Sequence, residues 1–290
     1  MRAETCEVIV KAMIEMSEKY GKEYFEHTNL DEELEALGFT KHVTMSIRGK
    51  GLEEKNSNIV YMKNSADFVI IMVSTPYKHI KKPILLDKDV YERYLTKSNI
   101  FFVTSKKDRP CVRIDGHIYK LHKVALDFPD AMIDVDHINH CHNSCLRSDL
   151  RLATRVQNNE NKAYRSHIKG LQFTTRVVID TNDKANTFGK YIRKGFSFKS
   201  IDADIDTVIM ISPIYSTKNE MYSAINALEK AFFGEFAYNP INDYEHPVST
   251  ELYVRYKLGL ISEDEFKALQ IEVIKQTKGS RAIEYYQIAC

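Results

Sequence analysis

The chain contains no tryptophan, only five cysteines and no apolar run approaching a membrane span. An odd cysteine count without a framework spacing argues against a secreted, disulfide-built protein and for a reducing interior. The longest apolar stretch, near Phe68 to Val73, falls far short of the roughly 20 residues that cross a bilayer. Met1 to Lys11 interrupts a short apolar run with acids, unlike a secretory signal. These absences predict a soluble, cytoplasmic protein with no membrane partner.

Net charge is nearly missing too, at +1, but its distribution is uneven. Residues 1–40 hold 4 basic against 10 acidic side chains, and residues 201–290 hold 8 against 14. The middle is reversed: 18 against 13 over residues 41–150, and 11 against 3 over residues 151–200. Lysine and arginine contacts to phosphate dominate nucleic-acid affinity, so this concentration points to double-stranded DNA as a partner. At 290 residues, with 43% hydrophobic and 28% charged side chains, the chain can bury a sizeable core and is expected to divide into two or three modules.

What is present is concentrated in Val135 to Lys162, VDHINHCHNSCLRSDLRLATRVQNNENK. Cutting a phosphodiester needs a base for water, a cation for the phosphate and leaving oxygen, and groups that hold both. His137 has an imidazole of ordinary pKa about 6.5, able to accept a proton near neutrality. Its neighbour Asp136 is a hard oxygen ligand of the type magnesium or manganese prefers, and the amide of Asn158 or Asn159 offers a second. His140, Cys141, His142 and Cys145 raise a competing zinc reading. The chain has no C-x-x-C knuckle, so the four-ligand spacing of a structural zinc site is not met.

In their order and spacing, Asp136-His137-Ile138-Asn139, Ser148-Asp149-Leu150-Arg151-Leu152-Ala153-Thr154 and Gln157-Asn158-Asn159 resemble the HNH homing endonucleases of phages and introns. The resemblance implies a ββα-metal core in which His137 is the general base. It makes Asp136 and Asn158 the ligands of one Mg2+ or Mn2+ ion, with Asn159 and Asn161 as register alternatives for the last. Asp149 stands where the family usually has the asparagine of its name; it is counted among the catalytic positions, with a bracing role for the loop that the exchange alters. Arg151 and Arg155 are candidates to assist the phosphate. The family implies site-specific cleavage in a phage or mobile-element setting. One core per chain means nicking by a monomer or a double-strand cut by a homodimer. The alternative is a catalytically degenerate, HNH-derived DNA-binding protein or regulator.

The fold class expected is α+β: an HNH core flanked by small β-rich and α+β DNA-binding modules. Residues 1–40 read as a helical segment, with Val8, Ile9, Ala12, Met13 and Met16 on one stripe and a second helix from Leu30 to Leu37 before Gly38. Residues 41–126 read as β-rich. Strands are predicted at Asn58 to Met62, Asp67 to Ser74, Ile100 to Thr104 and Arg109 to Ile114. A turn at Asp115-Gly116 follows, then His117 to Leu121, with His122 as a supporting residue. Residues 127–168 form the core: two short strands around the Asn139 to Leu150 loop, then a helix from about Arg155.

Residues 169–241 contain three strand-like stretches, a helix from Lys218 to Phe233 and the ending Phe233 to Asn239. Helix and ending resemble the three-stranded-sheet-plus-helix domain of plant ethylene-response factors, whose sheet lies in the DNA major groove. Candidate DNA contacts are Arg151, Arg155, Lys162, Arg165, Arg176, Lys190, Arg193 and Lys194. Residues 242–290 read as acidic helices for packing or an oligomer contact, with Ser262 and Glu265 as a capping box.

Overall fold

The computed structural model describes residues 3–20, 30–44, 58–74, 81–95, 100–103, 109–161, 171–177, 192–199, 208–211, 227, 230–231 and 234–278. The architecture is mixed α+β. The chain forms two units, one from Met1–Asn159 with Ile241–Thr277, the other from Glu160–Pro240 with Lys278–Cys290.

The first unit opens with α1 (Ala3–Tyr20), α2 (Leu30–Ala36), β1 (Thr40–Thr44), β2 (Asn58–Met62), β3 (Phe68–Ser74) and β4 (Lys81–Asp87). Next come α3 (Lys88–Val90), continuing as a π-turn at Tyr91–Leu95, then β5 (Ile100–Val103), β6 (Pro110–Ile114), β7 (His117–Lys120) and α4 (Leu121–Ala125). A second group follows: β8 (Asp134–His137), β9 (Ser144–Cys145), a 3₁₀ turn at Arg147–Asp149, β10 (Leu150–Ala153) and α5 (Arg155–Glu160). The second unit contributes β11 (Leu171–Val177), β12 (Ile192–Lys199) and β13 (Val208–Ile211); α6 (Pro247–Lys257) and α7 (Glu263–Lys278) come last.

β3 explains the core. Its sequence FVIIMVS is almost wholly β-branched or aliphatic, which suits a strand covered on both faces. Val69, Ile71 and Val73 point to one side, where they join Ile84, Leu86, Phe101, Val112, Leu121, Val124, Val135 and Leu150. Ile70 and Met72 point to the other, against Leu30, Leu34, Phe39, Leu146, Val254 and Leu258. Each such side chain, fully buried, contributes about 1.5–3 kcal/mol, so this strand alone anchors α2 and α6 on one face and α4 with the β8 region on the other. The sheet runs β1-β2-β3-β5-β6-β7, with β4 beside β3 and β9 beside β4. Asp115 and Gly116 close the β6–β7 hairpin with φ of +47° and +83°, as their residue types predict.

α1 departs from its expected facing. Cys6, Val10 and Ser17 are its buried positions, while Val8 is 67% exposed and Ile9 also faces solvent. Cys6 and Val10 pack with Tyr244, Tyr253 and Phe266, and of the expected stripe Met13, half-buried, packs against the same cluster. α7 begins as predicted: Glu265 N–H donates to Ser262 Oγ at 3.3 Å and Ser262 N–H donates to Glu265 Oε2 at 3.0 Å. No helix among the described residues is long and apolar enough to cross a membrane.

The second unit contains an antiparallel three-stranded sheet in the order β11-β12-β13, with a register shift at Phe198/Lys199. Most of the helix expected at 218–233 lies outside the described residues.

Candidate active site

β8 and β10 form a two-stranded antiparallel ribbon that pairs His137 with Leu150, Arg151 with Asp136, Leu152 with Val135 and Ala153 with Asp134. The period-two alternation of a strand sorts the side chains: Asp134 and Asp136 to one face, Val135 and His137 to the other.

On the acidic face, Asp136 meets Arg151. Arg151 Nε donates to Asp136 Oδ2 at 2.8 Å, and its terminal nitrogen lies 2.8 Å from the same oxygen. The Arg151 side chain is only 10% exposed. Cross-strand pairing brings its guanidinium, of which a phosphate contact had been expected, onto Asp136. α5 follows β10 through a reciprocal cap, Gln157 N–H donating to Thr154 Oγ1 at 3.2 Å and Thr154 N–H to Gln157 Oε1 at 2.8 Å. That start sets Asn158 beside the ribbon, where its Nδ2 donates to Asp134 Oδ2 at 3.1 Å. An ionised carboxylate only accepts, so the amide nitrogen faces Asp134 and the amide oxygen turns away from it. Asn159 is exposed on α5, and Asn161, just beyond it, is buried.

The opposite face holds imidazoles. His137 is 3% exposed and lies between His122 of α4 and His142, with ring centroids 5.0 Å away in both cases and edge-to-face geometry. Burial, followed by the neighbouring His122, His142, Arg109 and His140, holds the His137 pKa well below its ordinary value. Burial first, then the positive field of Arg109, Lys120, His142 and Lys123, pushes His122 down to about 3. Both rings are therefore neutral at physiological pH. His122 Nδ1 is buried and finds no hydrogen-bond partner among the described residues.

The loop from Asn139 to Asp149 is fixed by contacts from distant elements. β9 runs parallel to β4, pairing Leu85 with Ser144 and Leu86 with Cys145, and Leu85 N–H donates to Asn143 O at 2.9 Å. Arg147 reaches three groups: its N–H donates to Asp87 Oδ2 at 2.8 Å, Nε to Ala125 O at 3.1 Å, and a terminal nitrogen to Asp89 at 2.8 Å. From the C-terminal side, Tyr244 N–H donates to Asn139 O at 2.8 Å and Asp243 Oδ1 lies 3.2 Å from His140 Nδ1. His140 itself has a left-handed backbone, φ +58°.

Asp149, expected among the catalytic positions, is buried in this loop. Its carboxylate accepts from Ser144 Oγ and, at 2.7 Å, from the Tyr253 hydroxyl of α6, with Lys257 Nζ at 3.5 Å. Its backbone carbonyl accepts from Ile138 N–H at 3.0 Å. Asp149 thus braces the loop beside His137. Ser144, Tyr253, Lys257, Asp243 and Tyr244 were not singled out from sequence; no local motif marks them, since they are joined only by the fold.

Cys141 and Cys145 are fully buried in separate apolar clusters. Burial pushes the Cys141 thiol up to about 12 and raises Cys145 further. Among the described residues no group of three or more His, Cys, Asp or Glu is arranged to hold a metal ion.

Of the expected DNA contacts, Arg155 is exposed at the start of α5. Arg176 of β11 and Arg193 of β12 are direct register partners, and Lys194 sits opposite Thr175. Lys162, Arg165 and Lys190 lie outside the described residues. Comparison of the chain with models of known families, with curated proteins and with solved structures found no match.

Proposed function

We propose that the protein is a metal-dependent DNA endonuclease of the HNH type. The single observation that carries this reading is the ribbon-and-helix unit β8–β10–α5. It places Asp134 and Asp136 on one face of the ribbon, with Asn158 on Asp134, and sets His137 one residue along from Asp136. The oxygen face fits a hard divalent cation in chemistry. Asp136 is paired with the Arg151 guanidinium, which a metal ion would displace, and the Asn158 amide oxygen is turned away from Asp134 by its hydrogen bond. Asp136 and Asn158 would hold magnesium or manganese, which when bound would neutralise charge on the phosphate and on the departing 3′ oxygen.

The chain's own residues supply the rest. His137, neutral at working pH, would accept the proton of the attacking water at a ring nitrogen. His122 and His142 fix its ring plane edge-on, so the imidazole enters the reaction oriented. Arg155 would contribute phosphate contacts in the first unit, and Arg176 and Arg193, register partners, are candidates for such contacts in the second.

A second reading, a DNA-binding protein without cleavage, is favoured by the 3% exposure of His137 and by the Arg151 guanidinium on Asp136. The test is incubation of purified protein with supercoiled plasmid carrying its genomic neighbourhood, with magnesium, with manganese and with chelator. Nicked or linear product that appears only with metal supports the nuclease. Salt-sensitive binding with intact plasmid in every lane favours the second reading.

A further inference from the structure

We infer that Tyr253, on helix α6, is a positioning residue for the loop that carries His137, acting through the buried carboxylate of Asp149. The catalytic consequence rests on the nuclease reading; the positioning itself does not.

Asp149 is the crossing point of this loop. Its backbone carbonyl holds Ile138 N–H, next to His137, and the following residue, Leu150, is the register partner of His137. Its side chain holds Ser144 from the middle of the loop. Both limbs of the loop therefore take their position from one residue, and that residue is 5% exposed.

A carboxylate at that depth is stable only if protons converge on it, because removing a partner leaves charge without water to solvate it. Ser144 supplies one donor to Oδ2. Among the described residues the Oδ1 side is met from α6, by the Tyr253 hydroxyl at 2.7 Å and Lys257 Nζ at 3.5 Å. Lys257 is the longer contact and is about a quarter exposed, so it offers a screened countercharge. Tyr253 supplies the short, buried bond.

The Tyr253 ring cannot easily move. It stacks on Tyr244 at 4.8 Å with planes 26° apart and tilts against Phe266 at 5.7 Å. Tyr244 in turn donates its backbone N–H to Asn139 O, at the start of the same loop. A rigid aromatic stack thus fixes a hydroxyl, the hydroxyl fixes a carboxylate, and the residue that bears it holds Ser144 in mid-loop and, through its backbone carbonyl, Ile138 beside His137.

The test compares Tyr253→Phe, Asp149→Asn and the double substitution in the full chain. Two readouts are taken: amide hydrogen exchange over residues 138–150, and metal-dependent plasmid nicking resolved into kcat and KM. Tyr253→Phe removes one oxygen and keeps the stack. It is expected to speed exchange of the 138–150 loop at least tenfold while β3 and β6 keep their protection, and to lower kcat about tenfold or more with KM within twofold. Asp149→Asn removes the charge that needs Tyr253, so the double variant is expected to regain protection relative to Tyr253→Phe alone.

Unchanged loop exchange in Tyr253→Phe, or strictly additive losses in the double variant, would overturn the inference. If the wild-type protein cuts nothing, the nuclease reading fails while loop exchange still decides whether Tyr253 positions the loop. If wild type cuts and Tyr253→Phe loosens the loop but cuts at the wild-type rate, the catalytic consequence is overturned.

Discussion

The two faces of the β8–β10 ribbon are one residue apart in sequence and opposite in chemistry. On one, Asp134 and Asp136 are each met by a polar donor, Asn158 and Arg151. On the other, His122, His137 and His142 crowd together and the first two are held neutral by burial. Strand alternation alone achieves the division: a group that must stay charged and a group that must stay uncharged can be neighbours because consecutive side chains leave the ribbon in opposite directions. A helix would have set them about 100° apart, on adjoining faces.

The sharpest way to break this comparison is to remove the imidazole. His137→Ala is expected to lower metal-dependent cleavage about 10³-fold while salt-sensitive DNA binding persists. Filter binding alongside the plasmid assay checks it; cleavage at the wild-type rate would sink the role given to His137.

On the acidic face the largest effect should be on stability. Asp136→Ala leaves the Arg151 guanidinium buried without its carboxylate, at an expected cost of about 3 kcal/mol in urea unfolding. Replacing both residues together should recover most of that loss, because neither charge then remains. Equal losses in the single and double variants would show the pair to be solvated after all.

The histidine face makes a pH prediction of definite sign. His122 has a folded-state pKa of about 3, below its unfolded value of about 6.5. A depressed value means stability that is present above pH 6.5 and lost as pH falls toward 3. Between pH 6.5 and 4 the loss from this one group is about 3 kcal/mol. The difference in unfolding free energy between wild type and His122→Gln should shrink by about that amount over the same interval. A difference independent of pH would mean that the ring is solvated.

The smallest effect is expected at the helix that carries Asn158. Thr154→Ala removes the side-chain half of the cap at the start of α5 and should cost about 1 kcal/mol. If the cap also sets Asn158, magnesium affinity, followed by manganese paramagnetic resonance, should weaken with it.

Much of this was legible in the chain. β3, the Asp115-Gly116 hairpin, the strands around the Asn139 to Leu150 loop, the start of α5 at Arg155 and the Ser262 cap of α7 all follow from short-range rules, in which a residue and its partner lie within a few positions. The facing of α1 did not follow. The expected stripe is offset from the observed face: Val8 and Ile9 face solvent, while Cys6 and Val10, with Met13 beside them, meet the aromatic cluster around Tyr244 and Phe266. The commitment of Arg151 to Asp136 was equally hidden, since it depends on cross-strand register. The bond from Tyr253 to Asp149 joins residues 104 positions apart, and nothing in either neighbourhood announces it.

That separation also orders events in time. A chain emerging from the ribosome N-terminus first exposes the ribbon, the histidines and α5 well before α6 exists. The whole second unit's sheet must be translated in between. The hydroxyl that steadies the loop arrives with residue 253, so a nascent chain passes through synthesis with its histidine turn unbraced, and the turn acquires its final shape only after α6 has docked.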